Sequence, residues 1–169
     1  MEESIHYNSP LGLLQIKCNG TGITEVSFVN KNGKQLIKED EIVFEEPSSP
    51  VLKNCVCQLD DYFSGKLFDF DIELAQAGTA FQHQVWNELK AIPYGRTESY
   101  LLLSKKIGNI KAIRAVGTAN GKNNIAIIVP CHRVIGSNGD LVGYGGDLWR
   151  KKWLLDHEGK FANGVQMLF

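Results

Sequence analysis

A cysteine followed directly by a histidine is the pair of residues in this chain best suited to nucleophilic chemistry. Cys131 and His132 follow Pro130 and the apolar run 125–129, Ile-Ala-Ile-Ile-Val. The run predicts a buried strand, which Pro130 should end because proline has no N–H for a ladder. A free thiol has a pKa of about 8.5, so an adjacent imidazole could serve as its activating base. An isolated Cys-His pair is nevertheless more often a core cysteine beside a hydrogen-bonded histidine.

Length and composition bound the class of protein. The 169 residues, 43% hydrophobic and 22% charged, suit a globular protein of one domain or two small lobes. No apolar stretch approaches the roughly 18 residues of a membrane span. The acidic N-terminus lacks the apolar core of a secretory signal, so we expect a cytoplasmic protein. The four cysteines then predict neither a disulfide framework nor a zinc site.

The charges divide unevenly along the chain. Residues 1–80 carry 6 basic and 13 acidic side chains, a net −7, whereas residues 81–169 carry 12 basic and 6 acidic side chains, a net +6. A basic half indicates contact with a polyanion such as nucleic acid. Charge asymmetry is also common in two-lobed proteins, so the division alone leaves both interpretations open.

The first half of the chain combines strand patterns with one helix. Ser49 and Pro50 have the residue types preferred at a helix N-cap and first position, and Gly65 should end that helix. Strand patterns occur at 5–7, 13–18, 23–29, 67–74 and, more weakly, 42–44. These elements predict an α/β lobe of βαβ type with a small sheet over residues 1–76.

The second half, residues 77–169, predicts a mainly helical lobe. Thr79 and Gln82 form a capping-box pattern at the start of one helix. A last helix begins at Leu148 and should end near Gly159. The expected fold class is therefore α/β (α+β), with two lobes of different composition.

Two short helices separated by a glycine are predicted in the middle of this second lobe. Ser99 can cap the first, which should end near Gly108, and the second covers about 111–120. This is the form of a helix-turn-helix, although an αα-hairpin in a core gives the same pattern. The second helix is rich in Ala and Gly and carries Arg114, which suits close approach to another surface better than base-specific hydrogen bonding.

Several short motifs follow one another in a fixed order through the second half. Residues 128–136 read Ile-Val-Pro-Cys-His-Arg-Val-Ile-Gly. The other motifs are 79–86, 92–95, 99–100, 114–117, 120–123, 143–144 and 153–159. Together they resemble the O-6-alkylguanine-DNA alkyltransferases, also called methylated-DNA–protein-cysteine methyltransferases. The resemblance covers roughly residues 79–160, and the first half resembles that family's N-terminal lobe only in its general βαβ character.

The resemblance implies a direct form of DNA repair. Cys131 would take the alkyl group from O-6-alkylguanine, and also from O-4-alkylthymine, in a reaction that each molecule performs once. The family needs no cofactor and no metal. Its partner is double-stranded DNA bound through the minor groove by a monomer, and no membrane is involved.

The resemblance also implies roles for five catalytic residues. His132 would act as base toward Cys131 through a water molecule, and Glu158 would hold and polarise His132. Asn123 would fix the loop near Cys131 by hydrogen bonds. Tyr100 would donate a proton to the guanine as its oxygen is released.

A second set of residues is implied for DNA and substrate. Arg114 would fill the gap in the base stack when the target nucleotide rotates out. The further DNA contacts would be Ser99, Ala115, Gly117, Thr118 and Arg133. The substrate pocket would be lined by Val134, Tyr144, Gly145 and Gly146. Asp147 departs from the family pattern, because many relatives have a glycine there.

Two other classes of function fit parts of the sequence. A DNA-binding module that recognises the lesion without transfer chemistry would need neither Cys131 nor His132. A cysteine hydrolase would need an oxyanion hole, and the division of charge would then have no explanation. The intact Cys-His pair and the basic half together favour the alkyltransferase.

Overall fold

Residues 2–163 are described in the computed structural model, and they belong to two units that divide between Ala77 and Gly78. Small sheets and five α-helices give a mixed α/β architecture, which confirms the predicted fold class. Within residues 2–163, every helix is too short or too polar to cross a membrane.

The first unit is built on a three-stranded antiparallel sheet in the order β1-β2-β3. The strands are β1 (Glu3–Ser9), β2 (Gly12–Cys18) and β3 (Ile23–Phe28). Gly12 begins β2 with a φ of +103°, which glycine adopts without steric cost in the tight turn after β1. Ile5 and Ile16 lie opposite each other and are both buried, so the hairpin turns one apolar face inward. The strands predicted at 5–7, 13–18 and 23–29 are confirmed.

Helix α1 (Pro50–Phe63) packs an apolar stripe in the same unit. The hydroxyl of Ser49 accepts a hydrogen bond from the backbone N–H of Leu52 at 3.2 Å, as its N-cap position predicts. Leu52, Cys55, Leu59 and Tyr62 form the buried stripe. Gly65 follows the helix end with a φ of +79°, as predicted.

Two strands predicted in the first unit were wrong. Residues 42–44 form no strand, and the 82% exposure of Val43 shows that no apolar face is available there. In residues 67–74 only Leu74 pairs, through a single parallel bridge to Ile23. The side chain of Gln58 satisfies both the N–H and the C=O of Asp71 at 2.8 Å, so this backbone does not need a ladder. The βαβ connection is therefore reduced to one bridge.

Four helices dominate the second unit. They are α2 (Ala80–Lys90), α3 (Tyr100–Ile107), α4 (Ile113–Gly121) and α5 (Leu148–Ala162). Both reciprocal hydrogen bonds of the capping box between Thr79 and Gln82 are present. The indole N–H of Trp86 donates to the Ala119 carbonyl at 2.9 Å and joins α2 to α4. Helix α5 continues past Gly159, because one glycine costs a helix only about 1 kcal/mol.

Helices α3 and α4 form the predicted pair about a glycine turn. Gly108 ends α3 in the left-handed region, with a φ of +92°. Asn109 then caps a single 3-10 turn, Ile110–Ala112, by accepting from the backbone N–H of Lys111. The turn leads directly into α4, so the two helices keep the spacing of a helix-turn-helix.

The apolar run before the candidate nucleophile is buried, but it is not a strand. Residues 125–129 form consecutive turns, with hydrogen bonds from Ile128 N to Ala126 O at 2.8 Å and from Val129 N to Ile125 O at 3.1 Å. Ile127 has a φ of +74°, an unfavourable conformation for a β-branched residue. The prediction of a strand was wrong because complete burial of successive side chains is equally compatible with a compact turn.

A two-stranded parallel sheet lies beside this turn. It consists of β4 (Glu98–Ser99) and β5 (Val134–Ile135), with Glu98 opposite Val134. Strand β4 leads directly into Tyr100, and β5 directly follows the segment Cys131–Arg133. The short ladder therefore joins the two stretches of chain that carry the predicted proton donor and the predicted nucleophile.

Candidate active site

Cys131 begins a single 3-10 turn, Cys131–Arg133, immediately after Pro130. Only 7% of the residue is exposed. Burial raises the pKa of its thiol, and a hydrogen bond with Asn123 and the positive charge of Lys151 offset only part of that rise. The side chain is thus held as a thiol, and it needs a base at the moment of reaction.

His132 and Glu158 form a buried pair next to this thiol. The Nε2 atom of His132 lies 2.8 Å from Oε2 of Glu158, and the two side chains are 0% and 1% exposed. Burial lowers the pKa of His132 although Glu158 opposes the shift, so the imidazole is neutral at neutral pH. Since a carboxylate only accepts, Nε2 carries the hydrogen and Nδ1 keeps its lone pair. No group within residues 2–163 hydrogen-bonds to Nδ1.

Glu158 is kept ionised by two neighbours. Burial alone would raise its pKa, but His132 and the guanidinium of Arg133 hold the pKa well below its usual range. Arg133 donates from Nε to Oε1 at 2.8 Å and from Nη2 to Oε2 at 3.0 Å. A bidentate pair of this kind both charges and orients the carboxylate that faces His132.

Arg133 is therefore buried and does not lie on a DNA-binding surface, in contrast to the prediction. The resemblance implied that Arg133 contacts DNA, but it is 5% exposed and its third donor, Nη1, binds the Ile92 carbonyl at 2.7 Å. A guanidinium without this pairing would be an uncompensated buried charge. Its position corrects the prediction, because every nitrogen of the guanidinium group is occupied inside the protein.

Asn123 organises the turn in front of Cys131. Its amide nitrogen donates to the carbonyls of Ile125 at 3.2 Å and Val129 at 2.9 Å, and its oxygen accepts from the Ile125 N–H at 3.1 Å. These bonds replace the ladder that a strand would have supplied. The predicted loop-fixing role of Asn123 agrees with this geometry.

Tyr100 stands at the first position of α3 with its hydroxyl near Cys131. The hydroxyl donates to the Val142 carbonyl at 3.4 Å and accepts from the Asn120 amide at 3.4 Å. Burial raises its pKa, a nearby Cys131 thiolate would raise it further, and the hydrogen bond from Asn120 lowers it. Tyr100 therefore holds its proton at neutral pH.

The predicted pocket residues differ in burial. Val134 is fully buried, Gly146 is buried and Gly145 is exposed. Tyr144 is half-buried as a residue, and enclosure of its hydroxyl raises its pKa well above the usual value, with a further increase from Cys131. Val134 begins β5, whereas Tyr144, Gly145 and Gly146 lie on the segment between β5 and α5.

Lys151 is a residue of this site that the sequence motifs did not single out. It is fully buried, and its ammonium donates to the carbonyls of Val134 at 2.6 Å, Val142 at 2.8 Å and Gly143 at 3.2 Å. Burial lowers its pKa to about 8, although the Cys131 thiolate opposes the shift. Its helical spacing with the buried Leu154 and Glu158 was the available signal, because that spacing places it on the inner face of α5.

The predicted DNA contacts on α4 differ in exposure. Arg114, Ala115 and Thr118 are exposed, whereas Gly117 is half-buried and faces the ring of Tyr100, 4.0 Å from where a Cβ would lie. Ser99 is half-buried and caps α3 by accepting from the Leu102 N–H at 3.0 Å. Helix α4 thus exposes one cation, two small side chains and, at its start, the apolar side chain of Ile113.

The site supplies the groups needed to activate a thiol. It holds the nucleophile Cys131, a neutral imidazole with a free lone pair, an ionised carboxylate behind that imidazole and a protonated phenol. Within residues 2–163, no cluster of three or more His, Cys, Asp or Glu side chains could hold a metal ion. Fold and site together define a protein with a helix-turn-helix and a buried cysteine next to a buried histidine–glutamate pair.

Comparison with known proteins identifies the family. Residues 80–160 match the 6-O-methylguanine DNA methyltransferase DNA-binding domain, and residues 5–76 match the ribonuclease-like domain of the same proteins. The chain therefore belongs to the 6-O-methylguanine DNA methyltransferase family.

Individual relatives match over nearly their full length. The methylated-DNA–protein-cysteine methyltransferase of Methanosarcina acetivorans is 47% identical, with 90% of this chain and 96% of the relative covered. The protein of the same name from Mycobacterium bovis is 44% identical, with 98% and 99% covered. The crystal structure of the Mycobacterium tuberculosis O6-methylguanine methyltransferase is 42% identical, with a TM-score of 0.82 over 100% of this chain and 99% of that one. A structure of the M. tuberculosis protein in complex with DNA has a TM-score of 0.79 at 41% identity, with 96% and 95% covered.

Proposed function

We propose that this protein repairs DNA by transferring the alkyl group of O-6-alkylguanine to its own Cys131, once per molecule. It is a methylated-DNA–protein-cysteine S-methyltransferase. The observation that carries the proposal is the buried contact between His132 and Glu158 beside Cys131, in a chain that belongs to this family. O-4-alkylthymine is a second substrate, because it presents the same alkyl-oxygen bond to the thiol.

Activation of Cys131 begins with loss of its thiol proton. Nδ1 of His132 accepts this proton through a water molecule, and Glu158 stabilises the imidazolium that results. The neutral, buried imidazole is suited to this step, since its lowered pKa leaves the lone pair available at neutral pH. Lys151 adds a positive charge that favours the thiolate once it forms.

Departure of the guanine needs a proton. As the sulfur–carbon bond forms and the carbon–oxygen bond breaks, the electron pair of the broken bond passes to the guanine. Tyr100 donates its phenolic proton to the guanine at that moment, which avoids an anionic leaving group. The thioether formed at Cys131 has no route back to a thiol, so each molecule reacts once.

DNA meets the exposed face of α4. The protein binds DNA, as the M. tuberculosis relative does in its complex. We infer that α4 enters the minor groove, where its small exposed residue Ala115 permits close approach. Arg114 fills the stack while the damaged nucleotide is rotated out, at a cost of a few kcal/mol that is lower for a poorly paired base. The protein acts as a monomer in the cytoplasm, where it reaches DNA.

Intact mass spectrometry after mixing with an O-6-methylguanine duplex tests this function. We expect one added methylene per protein, located on Cys131 and saturating at one equivalent, and no gain in Cys131→Ser. Tight binding of the lesion without any adduct would instead support a recognition module. Turnover of an acyl substrate at Cys131 would support a hydrolase.

A further inference from the structure

Asn120 lies between the proposed nucleophile and the proposed proton donor. It is on the inner face of α4 and only 4% exposed. Its amide nitrogen is 3.4 Å from the Tyr100 hydroxyl and 3.5 Å from the Cys131 carbonyl oxygen. Its side-chain oxygen is buried and has no hydrogen-bond partner within residues 2–163. A buried amide with half of its capacity unused is unusual enough to suggest a purpose other than packing.

The Cys131 carbonyl determines which way this amide points. A carbonyl oxygen only accepts, so the nitrogen of Asn120, not its oxygen, must face Cys131. The same nitrogen then donates to the oxygen of Tyr100. Because that phenol oxygen is already an acceptor, its own hydrogen is directed elsewhere, toward the Val142 carbonyl at 3.4 Å.

We propose that Asn120 is a positioning residue that acts through Tyr100: it holds the phenol oxygen in place by donating to it, and it stabilises the phenolate that remains after the proton passes to the substrate. The inference rests on the proposed function, because it requires Tyr100 to donate a proton to the leaving guanine. A donor aimed at an oxygen that gains negative charge during reaction strengthens as that charge develops.

Asn120 undergoes no covalent change in this step, because the protons and electrons balance without it. The thiol proton passes to His132, the sulfur–carbon bond forms, and the pair from the carbon–oxygen bond goes to the guanine with the proton of Tyr100. The phenolate and the imidazolium then return to their neutral forms. Overall the protein loses one thiol proton and the guanine gains one, while the amide of Asn120 remains hydrogen-bonded to the phenol oxygen throughout.

Both hydrogen bonds of Asn120 are long. Catalytic hydrogen bonds in proteins without substrate often exceed their final length and shorten in the reactive complex. When substrate enters and takes the proton of Tyr100, the phenol oxygen becomes more basic and draws the amide closer. The pair thus gains strength in the transition state, as an element of catalysis requires.

A double-mutant cycle tests whether Asn120 acts through Tyr100. Single-turnover methyl transfer from an O-6-methylguanine duplex is measured for the wild type, Asn120→Leu, Tyr100→Phe and the double variant. We expect Asn120→Leu to be about tenfold slower, the loss associated with one hydrogen bond, and to cause no further loss in the Tyr100→Phe background. Equal losses in both backgrounds would overturn the inference.

A second measurement separates proton donation from a structural effect. Free O-6-benzylguanine and its electron-poor 8-aza analogue differ in how much the leaving purine needs a proton. We expect Asn120→Leu and Asn120→Asp to slow the reaction with O-6-benzylguanine more than the reaction with its 8-aza analogue. Equal slowing of both would overturn the inference, and Asn120→Asp serves alone if the leucine variant does not fold.

The controls distinguish this inference from the function on which it rests. Binding of undamaged duplex should be unchanged in the Asn120 variants, because the residue is buried. A Tyr100→Phe variant as fast as the wild type would remove the proton-donor role and this inference, while an adduct on wild-type Cys131 would still support alkyl transfer. No adduct on the wild type would contradict the proposed function itself.

Discussion

The Nε2 atom of His132 lies 2.8 Å from Oε2 of Glu158, while Arg133 binds both oxygens of the same carboxylate. One carboxylate thus serves a base and a buried cation together. Glu158→Gln keeps the shape but removes the charge, and it leaves the Arg133 guanidinium uncompensated. We expect a loss of about 3–5 kcal/mol in the free energy of unfolding, measured in urea. Methyl transfer in the folded variant should be at least about tenfold slower, since the imidazolium is no longer stabilised.

Asp156 offers the matched control for that substitution. It is on the same helix, 66% exposed, and paired with the equally exposed Lys152. Asp156→Asn should change the free energy of unfolding by less than about 0.5 kcal/mol. Similar losses for Asp156→Asn and Glu158→Gln would argue against the buried network as the cause.

Stability should fall on acidification because of two groups at this site. Burial holds the pKa of His132 below its ordinary 6.5, and the pKa of Glu158 is held below its ordinary 4.5. In each case the group takes up a proton at a higher pH in the unfolded chain than in the folded protein. The free energy of unfolding therefore decreases as the pH falls below the ordinary pKa of the group. Urea unfolding between pH 8 and 4 should show a decline that begins near pH 6.5 and steepens near 4.5. His132→Gln should remove the first part of the decline, and persistence of that part would assign it to another group.

Lys151 should govern the reactivity of Cys131. Lys151→Met keeps the apolar stem but removes the charge that lowers the thiol pKa and the donors to the Val134, Val142 and Gly143 carbonyls. We expect the pH midpoint for alkylation of Cys131 by iodoacetamide to rise, and methyl transfer to slow by about tenfold or more. The neighbouring exposed Lys152→Met should leave both unchanged. An unchanged midpoint in Lys151→Met would show that its charge does not reach the thiol.

The elements best predicted from the sequence were those with a local signal. The capping box of Thr79 and Gln82 and the Ser49 cap of α1 each satisfy backbone groups within one turn, so their residue types alone indicate a helix start. The strand predicted over residues 125–129 was wrong, because apolar residues indicate that a segment is buried but not which path its backbone follows. Its turns depend on Asn123, whose side chain binds the Ile125 and Val129 carbonyls, and no periodicity records such a bond.

The residues of the candidate site were also predicted to different extents. Cys131, His132 and Glu158 were identified by a family motif, and in the structure they lie together. Lys151 and Asn120 were missed because their partners are mostly backbone carbonyls or a distant phenol, which only tertiary packing brings near. Arg133 was misplaced because the resemblance implied a contact with DNA, whereas its actual partner is Glu158, 25 residues away in sequence.

Arg114 should affect the rate of alkyl transfer only when the damaged base has to leave a duplex. It is exposed on α4 and is the cation of that helix proposed to replace the rotated nucleotide. Arg114→Ala should slow repair of an O-6-methylguanine duplex by about tenfold or more, and it should leave reaction with free O-6-benzylguanine unchanged. Lys90→Ala, which removes an exposed cation from α2, should affect neither. Equal losses on duplex and free base would exclude the stacking role.

Asp147 occupies a backbone conformation that favours glycine. Its φ of +77° with ψ of 143° is costly for any side chain with a Cβ, by about 1–3 kcal/mol. Its carboxylate partly offsets this cost through a contact to Nη1 of Arg150 at 3.5 Å. Because that pair is long and weak, relief of strain should prevail, and Asp147→Gly should raise the free energy of unfolding by about 1 kcal/mol. Asp147→Ala keeps the strain and loses the contact, so it should be less stable than the wild type. Urea unfolding of the three proteins at pH 7 measures both differences, and a less stable glycine variant would show that the contact to Arg150 outweighs the strain.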